Sequence, residues 1–342
     1  MVTIIGGGIA GTVLAGALAG HGRPATVYER QAHPRNGQFL VLDGRAHETL
    51  TGLGVPGDRL RAASHPLTAL RIAYTTNERT RPSDGHRLYF RDDLMRVLGE
   101  FAAAAGAQRH DATPITDLDP ATGTLTSGDT TLPADGPIIA ADGTDSLARA
   151  RLEPGRTAEY AGQTVIYGTT TRPVRPDSEP SVLHFQGQVG DGVLPNSTFG
   201  HFWNDGVAVW FARLTRPELP ADRIGGHPVR EWATAVRLAA PAIADLVDTM
   251  LAATETVRVI NARNVPLATA RPPRAPVILC GDADHALTPA AGVGARDAIE
   301  DAAALADAFT GGTDPAAAMA ERRRQIVEER DRIARLYERA RG

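Results

Sequence analysis

The first 29 residues constrain this chain more than any other stretch. Val2-Thr3-Ile4-Ile5 is a short apolar run, read as a buried strand, and Gly6-Gly7-Gly8-Ile9-Ala10-Gly11 follows at once. Val13, Leu14, Ala17 and Leu18 then recur at helical spacing as far as His21-Gly22, and Ala25-Thr26-Val27-Tyr28 reads as a second strand ending on Glu29. This is a βαβ unit whose glycines have separate tasks. Gly6 permits the tight turn, Gly8 lets a pyrophosphate approach the backbone, and Gly11 lets the helix lie close to the strand. Ile9 and Ala10 sit between them at the helix start, where free N–H groups and the helix dipole favour an anion. Glu29 lies 18 residues after Gly11, where a carboxylate can accept from ribose hydroxyls. The spacing alone is weak, and a glycine turn that binds nothing is the plain alternative. The strand before it, the helix after it and the closing acid together point to a dinucleotide.

Composition narrows the classes further. A chain of 342 residues has room for two interleaved structural units with ample core. A net charge of −4 gives no reason to expect a nucleic-acid partner. All 36 basic residues are arginine, which excludes a Schiff-base, P-loop or other catalytic lysine; biased composition accounts for the missing lysine. Cys280 is the only cysteine, so disulfides and cysteine metal sites are out, and no metal is expected. No basic leader and no apolar run near 18 residues is present, so the expectation is a cytoplasmic protein with no membrane partner, a monomer or weak dimer.

Along the chain, Phe39–Leu42 reads as a strand and a helix ends near Leu53-Gly54. Leu70–Thr75 and Arg87–Phe90 read as strands around a polar turn at Asn77–Gly85. Arg91 opens a helix carrying Leu94, Val97, Leu98 and Phe101, with Asp92 and Asp93 suited to its dipole. Thr124–Leu132 reads as a hairpin and Pro137–Ala141 as a buried strand. It is followed by Asp142-Gly143-Thr144-Asp145-Ser146, with Arg149 and Arg151 beyond. Residues 160–270 change character: β-prone stretches (Thr164–Thr169, Ser181–Gln186, Val207–Leu214, Val257–Ile260) surround one helical pattern, Val229–Leu238. No βα alternation survives there, so a second unit on a mostly antiparallel sheet is expected. The strand Val277–Cys280 returns to the first unit and leads into Gly281–Ala302, with an acid at the strand end, a proline and two glycines before an alanine-rich helix. Asp314–Arg341 reads as a long charged helix that bridges the units. The expected divisions are 1–68, 91–158 and 271–312 for the dinucleotide unit, 69–90 and 159–270 for the substrate unit, and 313–342 for the C-terminal helix.

Three motifs coincide: Gly6-x-Gly8-x-x-Gly11 with Glu29; Asp142-Gly143-x-x-Ser146-x-x-Arg149; and Gly281-Asp282-Ala283-x-His285-x-x-x-Pro289-x-x-Gly292-x-Gly294. Together they resemble the group A flavoprotein monooxygenases of the para-hydroxybenzoate hydroxylase type, in the compact two-domain form of the tetracycline-modifying enzymes. The resemblance implies an α/β fold, with a Rossmann-type FAD domain, an interleaved α+β substrate domain and a C-terminal bridging helix. It implies FAD as cofactor, with NADPH or NADH and O2 as co-substrates. By position, Gly6, Gly8 and Gly11 would hold the pyrophosphate, and Glu29 with Arg30 beside it the adenosine ribose. Arg91 would lie near the ribityl–pyrophosphate region, and Asp282 would bond the ribityl chain. Gly292, Val293, Gly294 and Ala295 would offer N–H groups to the flavin's N1–C2=O edge, and Pro289 would face the ring. The Asp142–Arg149 stretch is linked in such enzymes to FAD and the nicotinamide donor. Asp284 and Arg296 depart from the family pattern; for Arg296 an internal ion pair with Asp297, Glu300 or Asp284 is expected over a substrate contact.

The implied chemistry runs on the flavin, through a C4a-hydroperoxide that delivers oxygen to an electron-rich carbon, so no catalytic triad is assigned. The substrate is expected to be a hydrophobic aromatic, polyketide or alkaloid, in a setting of antibiotic tailoring or inactivation. Its pocket would be lined by Gln38, Phe39, Val41, Phe185, Phe202, Val209, Trp210 and Phe211, about half of which strand alternation must turn away. His184, His201 and Tyr167 are candidates to deprotonate a phenol, and His285 is expected to be mainly structural. Baeyer–Villiger insertion, epoxidation, an FAD reductase or dehydrogenase, and a non-enzymatic FAD protein stay open. A flavin halogenase does not, because it needs a lysine.

Overall fold

The computed structural model describes residues 1–32, 39–74, 77–134, 136–188, 197–288 and 292–339. The chain opens as β1 (Val2–Ile5), α1 (Ile9–Gly20), β2 (Ala25–Tyr28), β3 (Phe39–Leu42), α2 (Gly44–Gly52) and α3 (Gly57–Ala62). It continues as β4 (His65–Pro66), β5 (Ala69–Tyr74), β6 (Asn77–Pro82), β7 (Arg87–Phe90), α4 (Arg91–Ala104), β8 (Gln108–His110), β9 (Asp117–Asp119), β10 (Thr124–Ser127), β11 (Thr130–Leu132), β12 (Ile138–Ala140) and α5 (Leu147–Leu152). The middle of the chain is β13 (Glu159–Thr169), β14 (Val182–Gln188), β15 (Ser197–Trp203), β16 (Ala208–Thr215), β17 (Gly225–Pro228), α6 (Ala233–Ala239), α7 (Ala244–Ala252) and β18 (Thr256–Asn264). It closes with β19 (Val277–Leu279), α8 (Asp282–His285), α9 (Gly294–Gly311) and α10 (Pro315–Arg339).

Two sheets organise these elements. A five-stranded sheet has the order β19-β12-β1-β2-β8, and its pairs are parallel. Parallel strands are buried on both faces, which is why Val2–Ile5, Ala25–Tyr28 and Val277–Leu279 read as continuous apolar runs. Helix α1 is buried along almost its whole length, between the sheet and α4 and α9. The second sheet has eight strands in the order β17-β18-β13-β16-β15-β14-β5-β6, antiparallel except for β14 with β5. One face packs on α6 and α7 through Phe199, Trp203, Trp210 and Trp232. The other meets β3 and β7 through Phe39 and Leu88.

Three local expectations change. Asn77–Gly85 is not simply a turn: Asn77–Pro82 is a strand, paired along its length with β5, and every residue in it is exposed. An exposed edge strand has no apolar side, so its sequence carries no strand pattern. Ser197–Trp203, hidden by its Ser, Thr, Gly and His, is a central strand buried at every residue. The helical stretch after residue 229 is α6 and then α7, separated at Ala240-Pro241, where proline prevents continuation.

The C-terminal helix straps distant parts of the dinucleotide half together. Met319 and Ile326 are buried, and its charged residues reach Arg45, Asp284, Arg296, Glu300 and Asp301.

Candidate active site

The glycine turn is tight on two sides and open on the third. Gly6 has φ +97°, and a Cβ there would lie 2.3 Å from the Ala141 carbonyl oxygen; a Cβ on Gly11 would lie 2.0 Å from the Gly6 oxygen. Above Gly8 a Cβ would meet nothing within 4 Å. That room, at the start of the 12-residue α1, fits a pyrophosphate on the first N–H groups of the helix, those of Ile9, Ala10 and Gly11 included. Glu29 is already engaged: its two carboxylate oxygens accept from Gly7 N at 2.7 Å and Gln31 N at 2.8 Å. Each oxygen keeps acceptor capacity for a hydroxyl. Arg30 is exposed beside it. Arg109, which no sequence pattern marked, lies against the turn, with Nη1 3.4 Å from the Gly7 carbonyl. Only the parallel pairing of β8 with β2 brings it there.

The second motif closes the turn from below. Burial raises the Asp142 carboxyl, against hydrogen bonds from Ser146 and backbone N–H groups. Its Oδ1 is buried with no hydrogen bond among the described residues. Ser146 caps α5 by accepting from Arg149 N at 2.9 Å. The buried Arg149 guanidinium then crosses to the third motif, donating to the Ala283 carbonyl at 2.8 Å.

The third motif turns at Gly281, φ +61°, into the single turn of α8. Asp282 is accessible to solvent, yet burial still raises its carboxyl, opposed by the charges of His285, Arg91 and Arg330. An exposed carboxylate at the end of a strand can accept from polyol hydroxyls. Arg91, at the start of α4, is one of the charges that act on Asp282. His285 is buried with its Nε2 2.6 Å from Asp301 Oδ2. Burial alone would lower the imidazole, but Asp301, with Asp284 and Asp297, carries it up to about 9. Gly292 and Gly294 have open space where a Cβ would stand; Val293 precedes α9, and Ala295 lies in its first turn. Pro289 and Gln38 lie outside the described residues.

Both departures from the family pattern are internal ion pairs. Asp284 accepts from Arg156 at 2.9 Å and from Arg323 at 2.6 Å. Arg296 donates to Asp43 at 3.0 Å, Glu329 at 2.9 Å and Asp297 at 3.3 Å. Asp297 was among its expected partners. Asp43 and Glu329 were not, because residues 253 and 33 positions away leave no local signal.

Strand register sorts the substrate candidates. One row across the large sheet runs Ile72, Phe185, Gly200, Phe211, Tyr167, Arg258. The next runs Arg71, His184, His201, Trp210, Gly168, Val257 and faces the opposite way. The first row meets Phe39: its ring lies 5.6 Å from Tyr167 and 6.4 Å from Phe211, and Phe185 lies 5.8 Å from Phe211. A Cβ on Gly200 would strike the Phe211 ring at 2.2 Å, so glycine lets that ring lean over its neighbour. Val41, Phe202 and Val209 belong to the same cluster, but Phe202 and Val209 are fully buried beneath it. Burial pushes the Tyr167 phenol up to about 12, with the Arg213 charge opposing. Arg213 was also unmarked in sequence; its guanidinium lies 5.5 Å over the Phe211 ring.

Trp210, expected to line the pocket, is turned to the other face, stacked on Phe199 and donating to Thr254 Oγ1 at 2.9 Å. His184 and His201 share that face, stacked 4.6 Å apart and bonded to Glu179 O and Ser178 Oγ. Burial lowers His201 to about 3. Of the three candidate bases, only Tyr167 stands on the aromatic wall.

A family profile described as an FAD binding domain matches residues 1–325. Kynurenine 3-monooxygenases of Salinispora arenicola and Salinispora tropica are each 28% identical, over 93% of this chain and 74% of theirs. The solved structure of 2,6-dihydroxypyridine-3-hydroxylase from Arthrobacter nicotinovorans superposes with a TM-score of 0.76 at 20% identity, over 94% of this chain and 86% of that one. CtdE in complex with FAD and a substrate gives 0.80 at 18% identity, over 99% and 88%. At these identities the structural likenesses carry the fold.

Proposed function

This chain belongs to the FAD binding domain family and is a group A FAD-dependent monooxygenase, and from that premise we propose that it uses NAD(P)H and O2 to hydroxylate a hydrophobic, electron-rich aromatic small molecule. The observation that carries the substrate class is the aromatic row of Phe185, Phe211 and Tyr167 closed by Phe39 from β3. Aromatic polyketides and alkaloids fit such a wall. Relatives and neighbours named for oxygenating kynurenine and a dihydroxypyridine support a ring substrate.

Bound FAD supplies the redox and oxygen-activating chemistry. The protein's residues do the rest. The room over Gly8 and the N-terminus of α1 would receive the pyrophosphate, flanked by Gly6 and Gly11, and Glu29 would accept from the adenosine ribose, with Arg30 alongside. Asp282 would accept from the ribityl hydroxyls with Arg91 nearby, and the Gly292–Ala295 turn would offer N–H groups to the ring. Phe39, Val41, Phe185 and Phe211 hold the substrate and exclude water, which strengthens every electrostatic contact inside. The Tyr167 hydroxyl, protonated at neutral pH, is a donor to a polar substituent on the substrate. In this reading 1–68, 91–158 and 271–312 belong to the FAD unit and 69–90 and 159–270 to the substrate unit, with α10 (Pro315–Arg339) as the strap.

The test is a panel of aromatic compounds incubated with holoprotein, NADH or NADPH, and O2, followed by nucleotide oxidation, oxygen uptake and product mass. Substrate-dependent uptake with a +16 product supports the reading. Flavin turnover with every compound returned unchanged or dehydrogenated, never oxygenated, contradicts it.

A further inference from the structure

The turn that carries Asp282 is held from outside at nearly every group except Asp282 itself. Gly281 N donates to Asp301 Oδ2 at 3.0 Å, and His285 Nε2 meets the same oxygen at 2.6 Å. Three successive carbonyls each accept from a different arginine: Ala283 from Arg149 at 2.8 Å, Asp284 from Arg156 at 2.5 Å and His285 from Arg330 at 2.8 Å. The Asp284 carboxylate accepts from Arg156 and Arg323. Asp282 alone has no hydrogen bond among the described residues.

A helix of four residues cannot hold its own direction, because one turn does not repay the cost of nucleation. Its last carbonyls have no intrahelical partner. Here those carbonyls point at guanidiniums from three separate elements: α5, the segment between α5 and β13, and α10. The direction of Asp282 is therefore set by residues far from it in sequence. The arginine of the second motif supplies one contact, and Arg156 and Arg330, outside all three motifs, supply the other two.

We propose that Arg156 and Arg330 are positioning residues for the cofactor: by fixing the Asp284 and His285 carbonyls they aim the Asp282 carboxylate at the bound FAD. This rests on the reading of Asp282 as an FAD ligand. It makes the C-terminal helix, through Arg330, part of the cofactor site without touching the cofactor.

The test is the rate of FAD release from holoprotein on dilution, read by recovered flavin fluorescence, in a double-mutant cycle. Arg330→Gln in the wild-type background should speed release about three- to ten-fold and alter the visible circular dichroism of bound flavin, since a part-buried charge-assisted bond is lost. Arg330→Lys, which keeps a donor, should recover part of it. In an Asp282→Asn background the Arg330→Gln increment should shrink to less than about two-fold, because the effect runs through Asp282. Arg156→Gln should behave alike; should it fail to fold, Arg330 decides. Equal increments in both backgrounds, or faster unfolding with FAD release unchanged, would mean the arginines only stabilise the fold and would overturn the proposal. If Asp282→Asn itself releases FAD at the wild-type rate, the ligand reading of Asp282 fails, and the positioning role fails with it.

Discussion

The turn at Gly281–His285 and the row Phe185–Phe211–Tyr167 are built by opposite means. The turn is fixed by short, directional bonds between buried charges: His285 to Asp301, Arg156 and Arg323 to Asp284, Arg322 to Asp301. Removing one partner from such a pair leaves a charge uncompensated, so the arrangement is intolerant of change. The aromatic row is held by ring contacts of 5.6–6.4 Å, which are weakly directional and repack at small cost. A cofactor common to a family needs the first kind of wall. A substrate that varies among relatives needs the second.

The largest break in this comparison should come from the glycines. Gly11→Ala puts a methyl 2.0 Å from the Gly6 oxygen and should abolish folded holoprotein, whereas Gly8→Ala, with open space, should fold and lose FAD affinity. Soluble yield and flavin content per chain separate the two. Next comes a contrast between the two faces of one strand. Trp210→Ala should cost about 3–5 kcal/mol and lower Tm, because it empties a fully buried site on the face that packs against α6 and α7.

A smaller, pH-dependent effect belongs to His285. Its folded-state pKa of about 9 lies above its ordinary 6.5. Its pairing with Asp301 therefore stabilises the fold fully below about pH 6.5, and the contribution is lost as pH rises through 9. Tm followed from pH 7 to 10 should fall in the wild type and fall less in His285→Gln. Equal slopes would remove the ion pair from the account.

The smallest stability effect is expected at the aromatic row. Phe211→Leu should cost less than about 1.5 kcal/mol, yet raise the share of reduced nucleotide consumed without product. That share is read from peroxide formed per NAD(P)H oxidised.

The same contrast explains how much could be read from sequence. Gly6, Gly8, Gly11, Glu29 and the Asp282 turn were legible because a tight turn, a close backbone approach and an acid at a strand end each demand particular residue types at fixed spacing. The aromatic wall was half legible. Alternation requires Trp210 and Phe211 to face apart but does not say which meets β3, and only the pairing of Phe211 with Tyr167 against Phe39 decides it. Arg109, Arg156, Arg213 and Arg330 were illegible as site residues. In a chain whose basic residues are all arginine, nothing local distinguishes an arginine that holds a buried carbonyl from one on the surface, such as Arg324. The pairs Arg296–Asp43 and Arg323–Asp284 are long-range and exist only once the fold brings them together.

The most direct test of the division between the two walls is a titration of apoprotein with FAD for wild type, Asp282→Asn and Phe211→Leu. Asp282→Asn should bind FAD about ten-fold or more weakly, as loss of buried hydrogen bonds to a charged acceptor requires, and Phe211→Leu should bind it as wild type does. Wild-type affinity in Asp282→Asn, or an equal loss in Phe211→Leu, would contradict the account.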